Sequence, residues 1–301
     1  MATTRNNGFV FAATGEGYTA LAIKAAHSLK AQCEDYPVDL FTDSDPKNPI
    51  FDRVHQLKTL WHRPKMESLY RSRFSKTVYL DADLYVTADI SDIFEILDRF
   101  DLVASHDQYP NSIAARKIFK QRIPAVFPQY NSGVIGVRNC DSSIEFLKDW
   151  EDCVRDSGAT HDQPAFRECL FGSSLRFGTL PPEYNLHNLN LLKVWSSEQA
   201  APRVIHHWDL HRHISKRFPE IVDLEGLVGS VDTKQLNRLI EADRTLSPVR
   251  RRIQVHPLIN PKNTLNSENP MPNRWHYLFQ GTRGEKWVRA IKRMFVSRYD
   301  S

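Results

Sequence analysis

"SKTVYLDADLYVTADISDIF", residues 75–94, sets an apolar run directly against two carboxylates, Asp81 and Asp83. Within it, "TVYLDADLYV" (77–86) is rich in β-branched and aromatic residues and reads as a buried strand. Side-chain alternation along a strand points Asp81 and Asp83 to one side, where two unpaired carboxylates repel unless a cation lies between them. A hard divalent ion with oxygen ligands fits that arrangement. The bland alternative is that one Asp caps the following turn and the other is solvated.

Outward from this stretch the chain alternates strand and helix patterns. "GFVFAAT" (8–14) is strand-like, "YTALAIKAAHSLKAQ" (18–32) has apolar residues at helical spacing, and "VDLFTD" (38–43) is a second strand. After an irregular stretch and the strand at 77–86 come a helix in 90–100, a strand at 101–107, a strand at 131–139, helices at 142–157 and 162–171, and a last strand at 203–209. This order predicts an α/β fold: a mostly parallel central sheet with helices on both faces. In such sheets ligands gather at the carboxyl ends of the strands, and the polar clusters of this chain fall at those ends.

Composition narrows the class. A chain of 301 residues with 41% hydrophobic and 25% charged residues is ordinary for a soluble globular protein, neither disordered nor collagenous. It has no 18-residue apolar run. The opening "MATTRNNGFVFAAT" lacks the apolar segment and cleavage site of a signal peptide, so cytoplasmic residence is the expectation. Cys33, Cys140, Cys153 and Cys169 show no CxxC or metal-ligand spacing and are expected to be thiols without redox work. Charge is uneven: residues 250–301 hold eleven Lys/Arg against Glu268, Glu285 and Asp300. No nucleic-acid motif accompanies that basic stretch, and no nucleic acid partner is expected. The expected organisation is a catalytic domain over 1–245 and a basic, Pro/Asn-rich C-terminal segment over 246–301.

Several motifs in one order carry a resemblance over roughly residues 8–212: "FVFAATGEGYTALAIKAAHSL", Lys65 ahead of "YLDAD", then "YNSGV", "HDQ", "EYNLH" and "VIHHW". Together they resemble the family 8 glycosyltransferases of GT-A fold, which include glycogenin and bacterial lipopolysaccharide galactosyltransferases. A phosphatase pattern of the type DxDx[TV] also holds a metal at a strand end, but Tyr85 breaks it.

The resemblance implies transfer of a hexose, glucose or galactose, from a UDP-sugar to an unknown acceptor, with Mn²⁺ (or Mg²⁺) and with retention of configuration. It assigns Asp81, Asp83 and His206 as cation ligands, with His207 one position away as the competing choice. It places Ala12, Thr14 and Tyr18 at the uridine, and Lys65, Ala82, Asn131, Ser132 and Arg212 on the donor. Asp162 and Gln163 fall beside the reacting carbon. Each residue also has a plainer role: strand and helix packing for Ala12, Thr14 and Tyr18, solvation for Lys65, a turn for "YNSG", and a helix N-cap for Asp162. A nucleotide-sugar-binding protein without turnover and a metal-dependent phosphohydrolase are the rival functions.

Two departures stand out. The family ends its histidine strand with HxxGxxKPW, whereas here Asp209 replaces the glycine and Arg212 the lysine. Arginine can grip phosphate with two parallel hydrogen bonds, so Arg212 is expected on the diphosphate. In "GEKWVRAIKRMFV" (284–296), Trp287, Ile291, Met294 and Phe295 lie near one helical face. A helix there would either pack on the catalytic domain or lie on an anionic membrane, a peripheral contact with the inner membrane face.

Overall fold

The computed structural model describes residues 6–59, 61–215 and 217–246. The tail helix, the membrane contact and the segment behind residue 246 lie outside the described residues. Among the described residues, no helix is long and apolar enough to cross a membrane.

The chain opens with β1 (Asn7–Ala13), α1 (Gly15–Lys30) and β2 (Val38–Thr42), then β3 (Arg53–Gln56), α2 (Lys65–Tyr70) and β4 (Lys76–Leu80). A short β5 (Leu84–Val86) and the single turn α3 (Ile93–Ile96) lead to β6 (Leu102–His106) and the long β7 (Tyr130–Arg138). Then come α4 (Asp141–Ser157), α5 (Gln163–Gly172), β8 (Phe177–Leu180), β9 (Val204–His206), a 3₁₀ segment Trp208–Ser215 and α6 (Leu224–Ala242).

Seven described strands form the main sheet in the order β3-β2-β1-β4-β7-β6-β8. The sheet is mostly parallel, as expected, but β7 runs antiparallel to both β4 and β6. One face is covered by α1, whose Ala22, Ala25, Ala26 and Leu29 meet Phe9 and Phe11 of β1. On the other face α2, α4 and α5 bring Met66, Leu69, Phe146, Leu147, Trp150 and Phe166 onto Val10, Tyr79 and Ile135. Helices on both faces follow from strands that are apolar on both sides.

Three expectations need correction. The run 77–86 is two strands, not one: β4 ends at Leu80, and β5 leaves the main sheet to pair antiparallel with β9. The strand expected over 203–209 is accordingly only Val204–His206, in that second sheet. The helix expected over 90–100 shrinks to one turn, whose Phe94 carbonyl accepts a hydrogen bond from Lys76 Nζ at 2.8 Å.

Trp150 ties this core to the cleft described next. It is fully buried, its ring centroid lies 4.5 Å from that of Phe166, and its Nε1 donates to the Asp162 carbonyl at 3.0 Å. Trp150→Phe removes that bond and leaves a void, so unfolding free energy is expected to fall by about 1–3 kcal/mol. Denaturant unfolding measures this, and an unchanged midpoint and slope would contradict it.

Candidate functional site

The break between β4 and β5 builds the site. At the end of β4, Leu80 pairs with Val134, and the Asp81 amide continues the ladder by donating to the Gly133 carbonyl at 2.8 Å. The chain then crosses to the second sheet, where Leu84 pairs with His206 and the His207 amide donates to the Asp83 carbonyl at 3.2 Å. Asp81 thus belongs to one sheet and Asp83 to the edge of another, and His206 is set opposite both. Strand alternation is not what aligns the carboxylates; the meeting of two sheets is.

His206 Nε2 lies 3.2 Å from Asp83 Oδ1 and 3.8 Å from Asp81 Oδ2. One ligand atom from each of Asp81, Asp83 and His206 lies within 4.8 Å of the others, the one such group of three among the described residues. Two carboxylate oxygens and an imidazole nitrogen form a donor set that suits a borderline-hard divalent ion such as Mn²⁺. Burial alone would raise the Asp83 carboxyl, yet the charge of His206 and hydrogen bonds from His206 and His211 hold it well below the usual carboxylate range. For His206 burial works against the charged form, but Asp83 and Asp81 outweigh it and raise the ring's basicity above the ordinary value.

Beside this triad, Lys65 in the first turn of α2 is buried, and its Nζ donates to the Ser132 carbonyl at 2.7 Å and Ser132 Oγ at 2.8 Å. The same Nζ lies 3.2 Å from Asp81 Oδ1 and 3.4 Å from Asp162 Oδ2, pairing both carboxylates. Ser132 Oγ in turn donates to Asp162 Oδ2 at 3.2 Å. Burial pushes the Asp162 carboxyl up, but Lys65 and Arg63 pull it below the usual range, so it stays ionised in a dry place. Asp162 does occupy the N-cap position of α5, yet its side chain makes no capping bond there. It faces the cleft instead, and Gln163 beside it also lines that cleft.

The cleft has a volume of about 540 Å³ and brings together Lys65, Asp81, Asp83, Asn131, Ser132, Asp162, Gln163 and His206. Asn131 Oδ1 is occupied by the Gly133 amide at 2.9 Å, which leaves Nδ2 as its group for a ligand. Ala12 is buried at the carboxyl end of β1, Thr14 stands at the N-cap of α1, and Tyr18 is exposed in its first turn. The Tyr18 ring centroid lies 6.2 Å from that of His211, so Tyr18 borders the Asp81–Asp83–His206 group through that histidine. Ala82 is partly buried against the α1-side core and does not line the cleft.

Arg212 is not brought to the cleft. It donates to Asp209 Oδ1 at 2.8 Å, and its guanidinium lies over the rings of Phe218 (3.6 Å) and Trp208 (4.5 Å). Asp209, the residue in place of the family glycine, is what holds it. Arg63 lines the cleft instead, donating through Nη2 to the Thr160 carbonyl at 2.5 Å.

Sequence reasoning passed over His211, whose Nδ1 lies 2.7 Å from Asp83 Oδ2, and Asn185, which is fully buried against His206. Asn185 stood in "EYNLH", a stretch noted only as a motif. His211 lies in the altered loop, where no pattern marks it.

By sequence the chain matches the nucleotide-diphospho-sugar transferase family over residues 19–216. No curated protein sequence matches it. By fold it is similar to the galactosyltransferase LgtC solved with donor and acceptor sugar analogs, with a TM-score of 0.54 and 14% identity over 82% of this chain and 99% of that one. It is likewise similar to the glycosyltransferase GlyE of Streptococcus pneumoniae TIGR4, with a TM-score of 0.51 and 18% identity over 78% of this chain and 63% of that one. The match spans most of the α/β domain and every residue of the cleft, and the chain belongs to the nucleotide-diphospho-sugar transferases, the family 8 glycosyltransferases of GT-A fold.

Proposed function

We propose that this protein is a divalent-cation-dependent, retaining hexosyltransferase that takes glucose or galactose from a UDP-sugar and delivers it to a glycan, lipid or protein acceptor. The observation that supports it most is the convergence of Asp81, Asp83 and His206 within 4.8 Å at the cleft where the two sheets meet. A bound Mn²⁺ or Mg²⁺ would supply Lewis-acid stabilisation for the diphosphate that departs.

The chain's own residues divide the remaining work. Ala12 and Thr14, at the carboxyl end of β1, and Tyr18, in the first turn of α1, are read as the uridine side. Lys65 holds its charge between Asp81 and Asp162, so a donor entering here meets a cation already oriented by two carboxylates and Ser132. Arg63 adds a second positive group to the same wall. Asn131 and Ser132 are read as hydroxyl partners of the transferred sugar. Asp162, ionised and buried, is the group suited to developing positive charge at the anomeric carbon, with Gln163 beside it.

Purified protein offered a panel of nucleotide sugars with Mn²⁺ should release UDP from UDP-glucose or UDP-galactose. Release of inorganic phosphate instead would identify a phosphohydrolase, and UDP-sugar binding without any release would identify a binding protein. Asp162→Asn should lower kcat by roughly 10²–10³-fold, the magnitude of one preorganised electrostatic group, with UDP affinity little changed. A parallel loss of UDP affinity and turnover would remove Asp162 from the reacting centre.

A further inference from the structure

A backbone amide fixes which nitrogen of His206 faces the two carboxylates. The Gly133 N–H can only donate, and it points at Asn131 Oδ1 at 2.9 Å, which identifies that atom as oxygen. The atom of Asn185 that lies 3.0 Å from the same Asn131 Oδ1 must then be a donor, so it is Nδ2. The other terminus of the Asn185 amide is therefore its oxygen, and this oxygen lies 3.0 Å from His206 Nδ1. An acceptor there requires a proton on Nδ1. Neutral His206 accordingly carries its lone pair on Nε2, the nitrogen 3.2 Å from Asp83 Oδ1 and 3.8 Å from Asp81 Oδ2.

We infer that Asn185 is the positioning residue of the cation site: it sets the tautomer and ring plane of His206, and Asn131 and Gly133 set Asn185. The inference rests on Asp81, Asp83 and His206 being cation ligands. Its physical content is that a histidine ligand is held ready by the hydrogen bond its other nitrogen donates, so the ring need not choose between tautomers when a cation arrives. The frame is rigid for reasons visible in the fold. Asn185 is fully buried, and the adjoining Leu186 amide donates to the Val204 carbonyl at 2.8 Å, while the His206 amide donates to the Leu186 carbonyl at 2.8 Å. The strand that carries His206 is thereby stitched to the segment that carries Asn185.

The first test needs no substitution: ¹⁵N imidazole shifts of the cation-free protein, at a pH where His206 is neutral, should report the Nδ1–H tautomer. A neutral Nε2–H tautomer would overturn the inference. The second test titrates Mn²⁺ alone and follows the free ion by electron paramagnetic resonance. Asn185→Ala should weaken Mn²⁺ binding roughly 10–100-fold, the usual effect of losing such a partner, and Asn185→Asp, which keeps an acceptor for Nδ1 but sets a second acceptor against Asn131 Oδ1, should recover only a small part of it. Circular dichroism establishes that each variant is folded. Parent-like Mn²⁺ affinity in folded Asn185→Ala would overturn the positioning role. A parent protein that binds no Mn²⁺ defeats the cation reading separately, and the tautomer measurement then decides Asn185 by itself.

Discussion

Replacing Asp81 or Asp83 by Asn is expected to lower sugar transfer by about 10³-fold or more, since cation stabilisation of a leaving diphosphate is worth several kcal/mol and each 1.36 kcal/mol is tenfold in rate. EDTA should do the same to the parent protein, and added Mn²⁺ should restore the parent but neither variant. The fold should survive both changes. Asp81 is paired with Lys65, which keeps Asp162 as a partner at 3.4 Å; Asp83 is paired with His206, which keeps Asp81 at 3.8 Å, and with His211, which is partly exposed to water. Neither substitution strands a charge without a neighbour, so unfolding free energy is expected to stay within about 1–2 kcal/mol of the parent. Full transfer in EDTA, or in either folded variant, would end the case for a cation held by this triad.

How much of this was legible in the sequence follows from which features are local. The opening β1–α1–β2 unit is written in short-range periodicity: alternate faces of "GFVFAAT" are both apolar, and Leu21, Ala22, Ala25, Ala26 and Leu29 recur at helical spacing. The break after Leu80 is not local. "LYV" (84–86) has strand composition whichever sheet it joins, and its partner β9 is supplied by a segment far along the chain. The antiparallel direction of β7 is equally invisible, because a run such as "GVIGV" buries both faces in either orientation. α6 escaped notice for a different reason: Gly226 and Gly229 interrupt its pattern, and Gly229 sits at φ 81°, inside a kink.

The site divides along the same line. Asp81 and Asp83 stand out in the sequence because two like charges follow an apolar run, whereas His206 is singled out only by the family resemblance, with His207 next to it. Asn185 and His211 act through what they face, and no spacing encodes a facing partner. Arg212 shows the converse: alignment to the family pattern puts it on the diphosphate, but the Asp209 that replaces a glycine captures its guanidinium at 2.8 Å. Asp209 lies three residues before Arg212 and pairs with it as an i,i+3 neighbour.

Gly133→Ala is expected to cost the protein its cation affinity, and with it most of the transfer rate. A Cβ at Gly133 would lie 2.2 Å from His206 Cε1 and 2.4 Å from Nδ1, distances no real contact reaches. The ring cannot yield cheaply, since its backbone is paired with β5 and its Nδ1 is held by Asn185. It must therefore leave Asn185, and Nε2 leaves the carboxylates with it. Overpacking of this kind also destabilises by about 1–3 kcal/mol, so a control must separate the two effects. Gly136, in the same strand, provides one: a Cβ there would meet Val103 Cγ2 at 2.6 Å and Ile93 Cγ2 at 2.9 Å, inside the apolar core and away from the cleft. Both alanine variants should lose comparable stability in denaturant unfolding, and only Gly133→Ala should lose Mn²⁺ binding. Equal Mn²⁺ affinity in the two variants would mean that the glycine of "YNSG" serves strand packing alone and that His206 tolerates displacement without consequence for the site.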